Sequence, residues 1–177
     1  MRLLLITIAT ALCSGSLAYA DTAVSSLTEL QQRQVAANCV TVQATLARVH
    51  ANDALSRVHL GQEYETIATK LMAPMNGRIA VAKLDGVDAI KTTVDFNHGT
   101  DEFRRLYQTY EQTMASVLQQ DCARHPAVFY TTLIHAQQQR SEVRQSVEKQ
   151  AQLVKQYQKQ LATIRKQALS VSQQVGR

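Results

Sequence analysis

Few residues in this chain are of a type and spacing that could do chemistry. In QQDCARHP (119–126), Cys122 stands three residues before His125. A reactive thiol needs a base and an activating setting. His125 offers a base, but nothing nearby completes a catalytic constellation. A zinc site needs about four ligands, and Cys122 with His125 offers two. His59 and Glu63 lie four apart on one helix face, and His50 and Asp53 lie three apart. Each pair is half a metal site with no third ligand, and no HExxH occurs. DFNHGTDE (95–102) begins like a calcium loop. It then places Thr100 where the sharp-turn glycine belongs and Leu106 where the closing carboxylate belongs. No phosphate-cradling glycine loop, nucleophile elbow or supported pair of acids appears. The expectation is a non-enzyme with no metal, no cofactor and no small-molecule substrate.

The remaining reading of Cys122 is structural, and it depends on compartment. Residues 1–20 (MRLLLITIATALCSGSLAYA) have a basic start, a ten-residue apolar run and small residues at Ala18-x-Ala20. This is the pattern of a secretory signal peptide cleaved after Ala20. The apolar run is shorter than the roughly 20 residues a bilayer span needs. Export to the periplasm, the cell surface or the medium is therefore expected. Cys13 leaves with the signal peptide, and Cys39 and Cys122 remain in residues 21–177. An even pair in an exported chain is expected to form a disulfide, with a free buried thiol as the alternative.

The elements that must place these residues are helical. Tryptophan is absent, with six glycines and two prolines in 177 residues; that composition favours helix and no strand pattern appears. From Pro126 a seven-residue register runs to residue 175. One seam holds Phe129, Ala136, Val143, Gln150, Tyr157, Ile164 and Val171. The other holds Leu133, Arg140, Val147, Val154, Leu161, Ala168 and Val175. Such a pattern predicts a supercoiled helix. Residues 27–83 show a similar seam through Val35, Cys39, Val42, Leu46, Val49, Asp53, Ser56, Leu60, Tyr64, Ile67 and Leu71. This predicts one long helix bent near Asn52-Asp53 and again at Pro74. After the turn KLDG (83–86), a short helix from Val87 to about Phe96 is predicted. NHGT (97–100) should break it, with Thr100 capping a second helix that ends near Cys122. The predicted fold is all-α: an elongated three-rod bundle or coiled coil, up-down-up, with a long C-terminal helix.

The staple fixes register between rods. Asp53 lies fourteen residues beyond Cys39, and Arg140 fourteen beyond Pro126, about 21 Å along each helix. The two polar breaks in otherwise apolar seams are therefore predicted to meet as an ion pair. The local alternative has Asp53 bonded to Arg57 and Arg140 facing water. Charge is unevenly placed as well. Residues 137–177 carry eight Lys/Arg against two Glu, whereas residues 21–136 carry ten basic and twelve acidic residues. Arg144, Lys149, Lys155, Lys159, Arg165 and Lys166 form a candidate surface for an anionic polymer, a membrane or nucleic acid. The competing reading is a solvated face that pairs with the acidic body.

Residues 52–86, together with FRRLYQTYEQ (103–112), Asp121-Cys122 and PAVFY (126–130), resemble small exported all-helical proteins from reduced-genome, Patescibacteria-type candidate-phyla bacteria. That resemblance implies export and the cysteine pair, and carries no function. LTELQ (27–31) is similar to the LTxxQ motif of Spy/CpxP-type periplasmic chaperones, which carry it twice; one copy is present here. A basic exported chain with long helices is also similar to Skp-type chaperones, although the β-core of that family is missing. Three functions are thus expected to compete. The first is an envelope interaction or scaffold protein that binds an envelope protein or itself. The others are an ATP-independent chaperone and a binder of anionic polymers.

Overall fold

The computed structural model describes residues 27–175, with side chains as far as Ser170. Residues 1–20, where a signal peptide is expected, and the side chains of the seam positions Val171 and Val175 lie outside that range. The described chain is all-α: α1 (Glu29–Ala37), α2 (Cys39–Thr66), a π-helical turn (Ile67–Met72), α3 (Ala73–Val81), α4 (Val87–Gln119) and α5 (Pro126–Val175). At 1.5 Å per residue, the 50 residues of α5 extend about 75 Å. Contacts between helices fix their relative directions. Cys39 meets Cys122, Asp53 meets Tyr110 and Asn76 meets Thr93, so α4 runs back along α2 and α3. Thr132 meets Gln120 and Gln160 meets Thr92, so α5 runs back along α4.

Local chemistry explains most boundaries. Thr28 and Gln31 form a reciprocal capping box at the start of α1. This gives LTELQ a role inside its own helix start. Lys83 adopts a positive φ of 54° in the turn after α3. A Cβ on Gly86 would stand 2.5 Å from Ile79 Cγ2, so that turn needs glycine for close approach. Pro126 opens α5 at its first residue, where its missing N–H is no loss.

The core consists of two clusters joined along α4 and α5. One gathers Tyr107, Tyr110, Met114, Val117 and Phe129 beside the Cys39–Cys122 bond. The other gathers Tyr64, Met72, Phe96, Phe103 and Tyr157. Edge-to-face ring contacts of Tyr64 with Phe96 and Phe103, at 5.8 and 5.4 Å, fill the second. Phe96, Phe103 and Phe129 are at most 1% exposed, and burial of each stabilises by about 1.5–3 kcal/mol. On α5 the seam Phe129, Ala136, Gln150, Tyr157 and Ile164 is buried, with Val143 half-buried.

Three sequence expectations need correction. First, α4 runs unbroken through NHGT, and Thr100 is an interior residue rather than a cap. Gly99 admits the Gln150 side chain, whose Nε2 donates to Phe96 O at 3.0 Å and to Thr100 Oγ1 at 2.8 Å. A Cβ on Gly99 would lie 2.9 Å from Gln150 Oε1. The glycine serves packing against a helix 50 residues away, which a local reading takes for a breaker. His98, expected in a loop, is consequently an exposed residue of α4.

Second, the first rod breaks at Asn38, inside the span expected to be one helix; through Asn52 and Asp53 the helix is continuous, as expected. Third, Leu71 is 59% exposed, and Met72 is buried in its place. The π turn inserts one residue, with the Ala73 N–H bonded to Ala68 O. The inward stripe therefore slips by one position, to Met72 and Ile79. The end of α4 lies close to Cys122, as expected: the helix stops at Gln119 and Cys122 lies in the loop that follows.

Candidate functional site

Cys39 and Cys122 form a disulfide with a Cα–Cα distance of 5.5 Å. It ties the start of α2 to the α4–α5 loop, and Cys122 is fully buried. Gln43, one turn beyond Cys39, donates to Gln120 O at 2.8 Å and so closes an open carbonyl of the same loop. His125 falls just before α5 with no contact to a thiolate, because the sulfur is already bonded.

Above the staple, Asp53 and Arg140 meet. Arg140 donates through Nε to Asp53 Oδ2 at 2.7 Å and through Nη2 to Oδ1 at 2.8 Å. Tyr110 on α4 completes the cluster, its hydroxyl donating to Asp53 Oδ2 at 2.6 Å. Three helices thus share one carboxylate. Asp53 keeps 17% of its side-chain surface in water, and Arg140 keeps 55%, so the pair is half-solvated rather than buried. Desolvation pushes the Asp53 carboxyl upward, but the bonds from Arg140 and Tyr110 outweigh it and hold the pKa below 3.8. Burial, and then the bond to Asp53, push the Tyr110 phenol up. The role of the Tyr110 hydroxyl depends on the position of α2, which the residues around it in sequence do not reveal.

The offset of 87 that relates Asp53 to Arg140 also relates Arg57 to Arg144 and Leu60 to Val147. All six line one groove between α2 and α5, of about 610 Å³, with Phe103 and Tyr107 of α4 as its floor. Arg57 sits over the Tyr107 ring at 5.3 Å from its centroid. Neither Arg57 nor Arg144 has a carboxylate within ion-pair distance among the described residues. Tyr107 is buried, and its hydroxyl forms no well-aligned hydrogen bond. Burial, with Glu111 beside it, pushes its pKa up.

The basic residues of α5 divide into two groups. Lys149 reaches Glu102 at 3.2 Å, so it belongs to the α4 interface. Arg144, Lys155, Lys159, Arg165 and Lys166 are exposed, and no carboxylate among the described residues lies within ion-pair reach of them. Pairing with the acidic body therefore accounts for Arg140 and Lys149 and leaves these five aside.

His50 turns to Glu111 at 2.7 Å, and His59 is exposed on α2. No group of three or more His, Cys, Asp or Glu able to hold a metal occurs among the described residues. No described helix is long and apolar enough to cross a membrane. No family model, curated protein or solved structure matches this chain.

Proposed function

We propose that the protein is a non-catalytic, exported interaction protein of the cell envelope that meets an anionic partner along the C-terminal part of α5. The observation that carries this reading is the set of exposed basic side chains, Lys155, Lys159, Arg165 and Lys166, with no carboxylate in ion-pair reach among the described residues. A helix that only needed solubility could satisfy its cations against the acidic residues of α4, as Lys149 does. A bundle closed by a disulfide suits an oxidising compartment.

The test is binding of the full protein to phosphatidylglycerol vesicles and to duplex DNA across a salt series. Each basic residue at an anionic surface contributes about 1 kcal/mol. Replacing Lys155, Lys159, Arg165 and Lys166 together by Gln should weaken binding on the order of a hundredfold or more. Affinity for DNA should also fall linearly on a log–log salt plot. Equal binding by parent and variant, or no binding by the parent, refutes the reading.

A chaperone reading has one observation in its favour. Leu55, Leu71, Val87, Ile90 and Val94 hold large apolar side chains in solvent, 48–72% exposed. It predicts near-stoichiometric protection of a heat-unfolded client, unaffected by the four Gln substitutions.

A further inference from the structure

We propose that the α2–α5 groove is a binding site for a small amphiphile with a single carboxylate headgroup and an apolar tail. The groove is graded along its length. Asp53, Tyr110 and Arg140 close one end. One helical turn on, at about 5.4 Å, come Arg57 and Arg144, with Tyr107 beneath them. A further turn on come Leu60 and Val147, with Phe103 beneath.

The groove's one carboxylate, Asp53, is already matched by Arg140. Arg57 and Arg144 are left facing the same space, with no carboxylate within ion-pair distance among the described residues. Two guanidinium groups brought to one cleft repel each other unless an anion lies between them. A carboxylate suits them because its two oxygens can accept forked N–H donors from both. The apolar steps beyond would take the tail, and a volume of 610 Å³ falls in the range of small-molecule sites. This site is separate from the surface proposed above, since Lys155, Lys159, Arg165 and Lys166 do not line it.

The probe is monomeric decanoate, titrated into the full-length oxidised protein by calorimetry and by NMR. Decanol, decyltrimethylammonium and acetate serve as comparisons. Saturable 1:1 binding of decanoate is expected; decanol and decyltrimethylammonium, which lack the carboxylate, should bind at least about tenfold more weakly, the factor a charge-assisted hydrogen bond supplies, and acetate, which lacks the tail, should also bind more weakly. The Tyr107 ring and the Leu60 and Val147 methyl signals should move on saturation. Arg57→Gln with Arg144→Gln should weaken decanoate binding by about tenfold or more.

Three results would overturn the assignment. They are no decanoate binding, decanol binding as tightly as decanoate, or signal shifts confined to other faces such as Val87–Val94. Binding to anionic vesicles without binding of decanoate would do so too, because it assigns the charge to a surface and not to a cleft. The headgroup comparison and the signal map use only the parent protein, so they decide the matter even if the double variant fails to fold.

Discussion

Replacing Asp53 by Ala is the sharpest perturbation of the three-helix cluster. The substitution removes both bonds from Arg140 and the bond from Tyr110. The two partners lose unequally. Arg140 is half in water and can return to solvent, so its share is that of an exposed ion pair, about 0.2–1 kcal/mol. Tyr110 is 2% exposed, and its hydroxyl would be left without an acceptor, at about 1–3 kcal/mol. The sum is centred near 2–3 kcal/mol, or several degrees in Tm for a chain of this size. Arg140→Ala leaves Asp53 bonded to Tyr110 and partly solvated, and should cost about 1 kcal/mol. Arg140→Met keeps the packing of the stem and should cost less than Arg140→Ala. Urea unfolding of the two single Ala variants and the double variant measures the coupling. The reasoning fails if Arg140→Ala costs more than Asp53→Ala, or if the two single effects simply add.

Other consequences follow from single contacts. Gly99→Ala drives a Cβ against Gln150 and should cost about 1–3 kcal/mol, whereas Gly77→Ala meets nothing within 4 Å and should stabilise by up to about 1 kcal/mol; thermal melts separate the two. The Asp53 carboxyl is held below 3.8 when folded, so its contribution is complete above the unfolded value and lost as pH falls through the folded one. The stability gap between parent and Asp53→Asn should therefore narrow as pH drops below 3.8. Burial, with Glu63 adding to it, pushes Tyr64 up to about 12, and burial raises Tyr107, Tyr110 and Tyr157 as well. These phenols stabilise the fold below their unfolded value near 10. That stability should be lost as pH climbs beyond it, with phenolate absorbance and loss of helix rising together. Replacing Cys39 and Cys122 by Ser opens an 83-residue loop and should cost on the order of 4–5 kcal/mol in the chain-entropy picture, read as a shifted urea midpoint.

What the sequence could and could not convey follows the range of each interaction. The bounds of α5 were legible because Pro126 marks its start and its buried seam repeats every seven residues with little interruption. The cysteine pair was legible from number and spacing, and a shared register then suffices to bring Asp53 opposite Arg140. Gly99 and Thr100 misled because their partner, Gln150, comes from another helix; a local pattern reads an admitted side chain as a chain break. The π turn at Ile67–Met72 left no trace in composition, yet one extra residue exchanged Leu71 for Met72 in the core. The groove roles of Arg57 and Tyr107 were hidden for the same reason: Arg57 offered itself only as a local partner for Asp53, and both acquire this role only from α5 across the gap.

The bundle, its register and its proposed place outside the cytosol all converge on the bond between Cys39 and Cys122. Intact-mass and peptide mapping of the protein taken from its own cells, alkylated at once and without reductant, addresses that bond directly. The account predicts a chain that begins at Asp21, with the Cys39 and Cys122 peptides covalently joined. Two freely alkylated thiols on a chain that still carries residues 1–20 would contradict it.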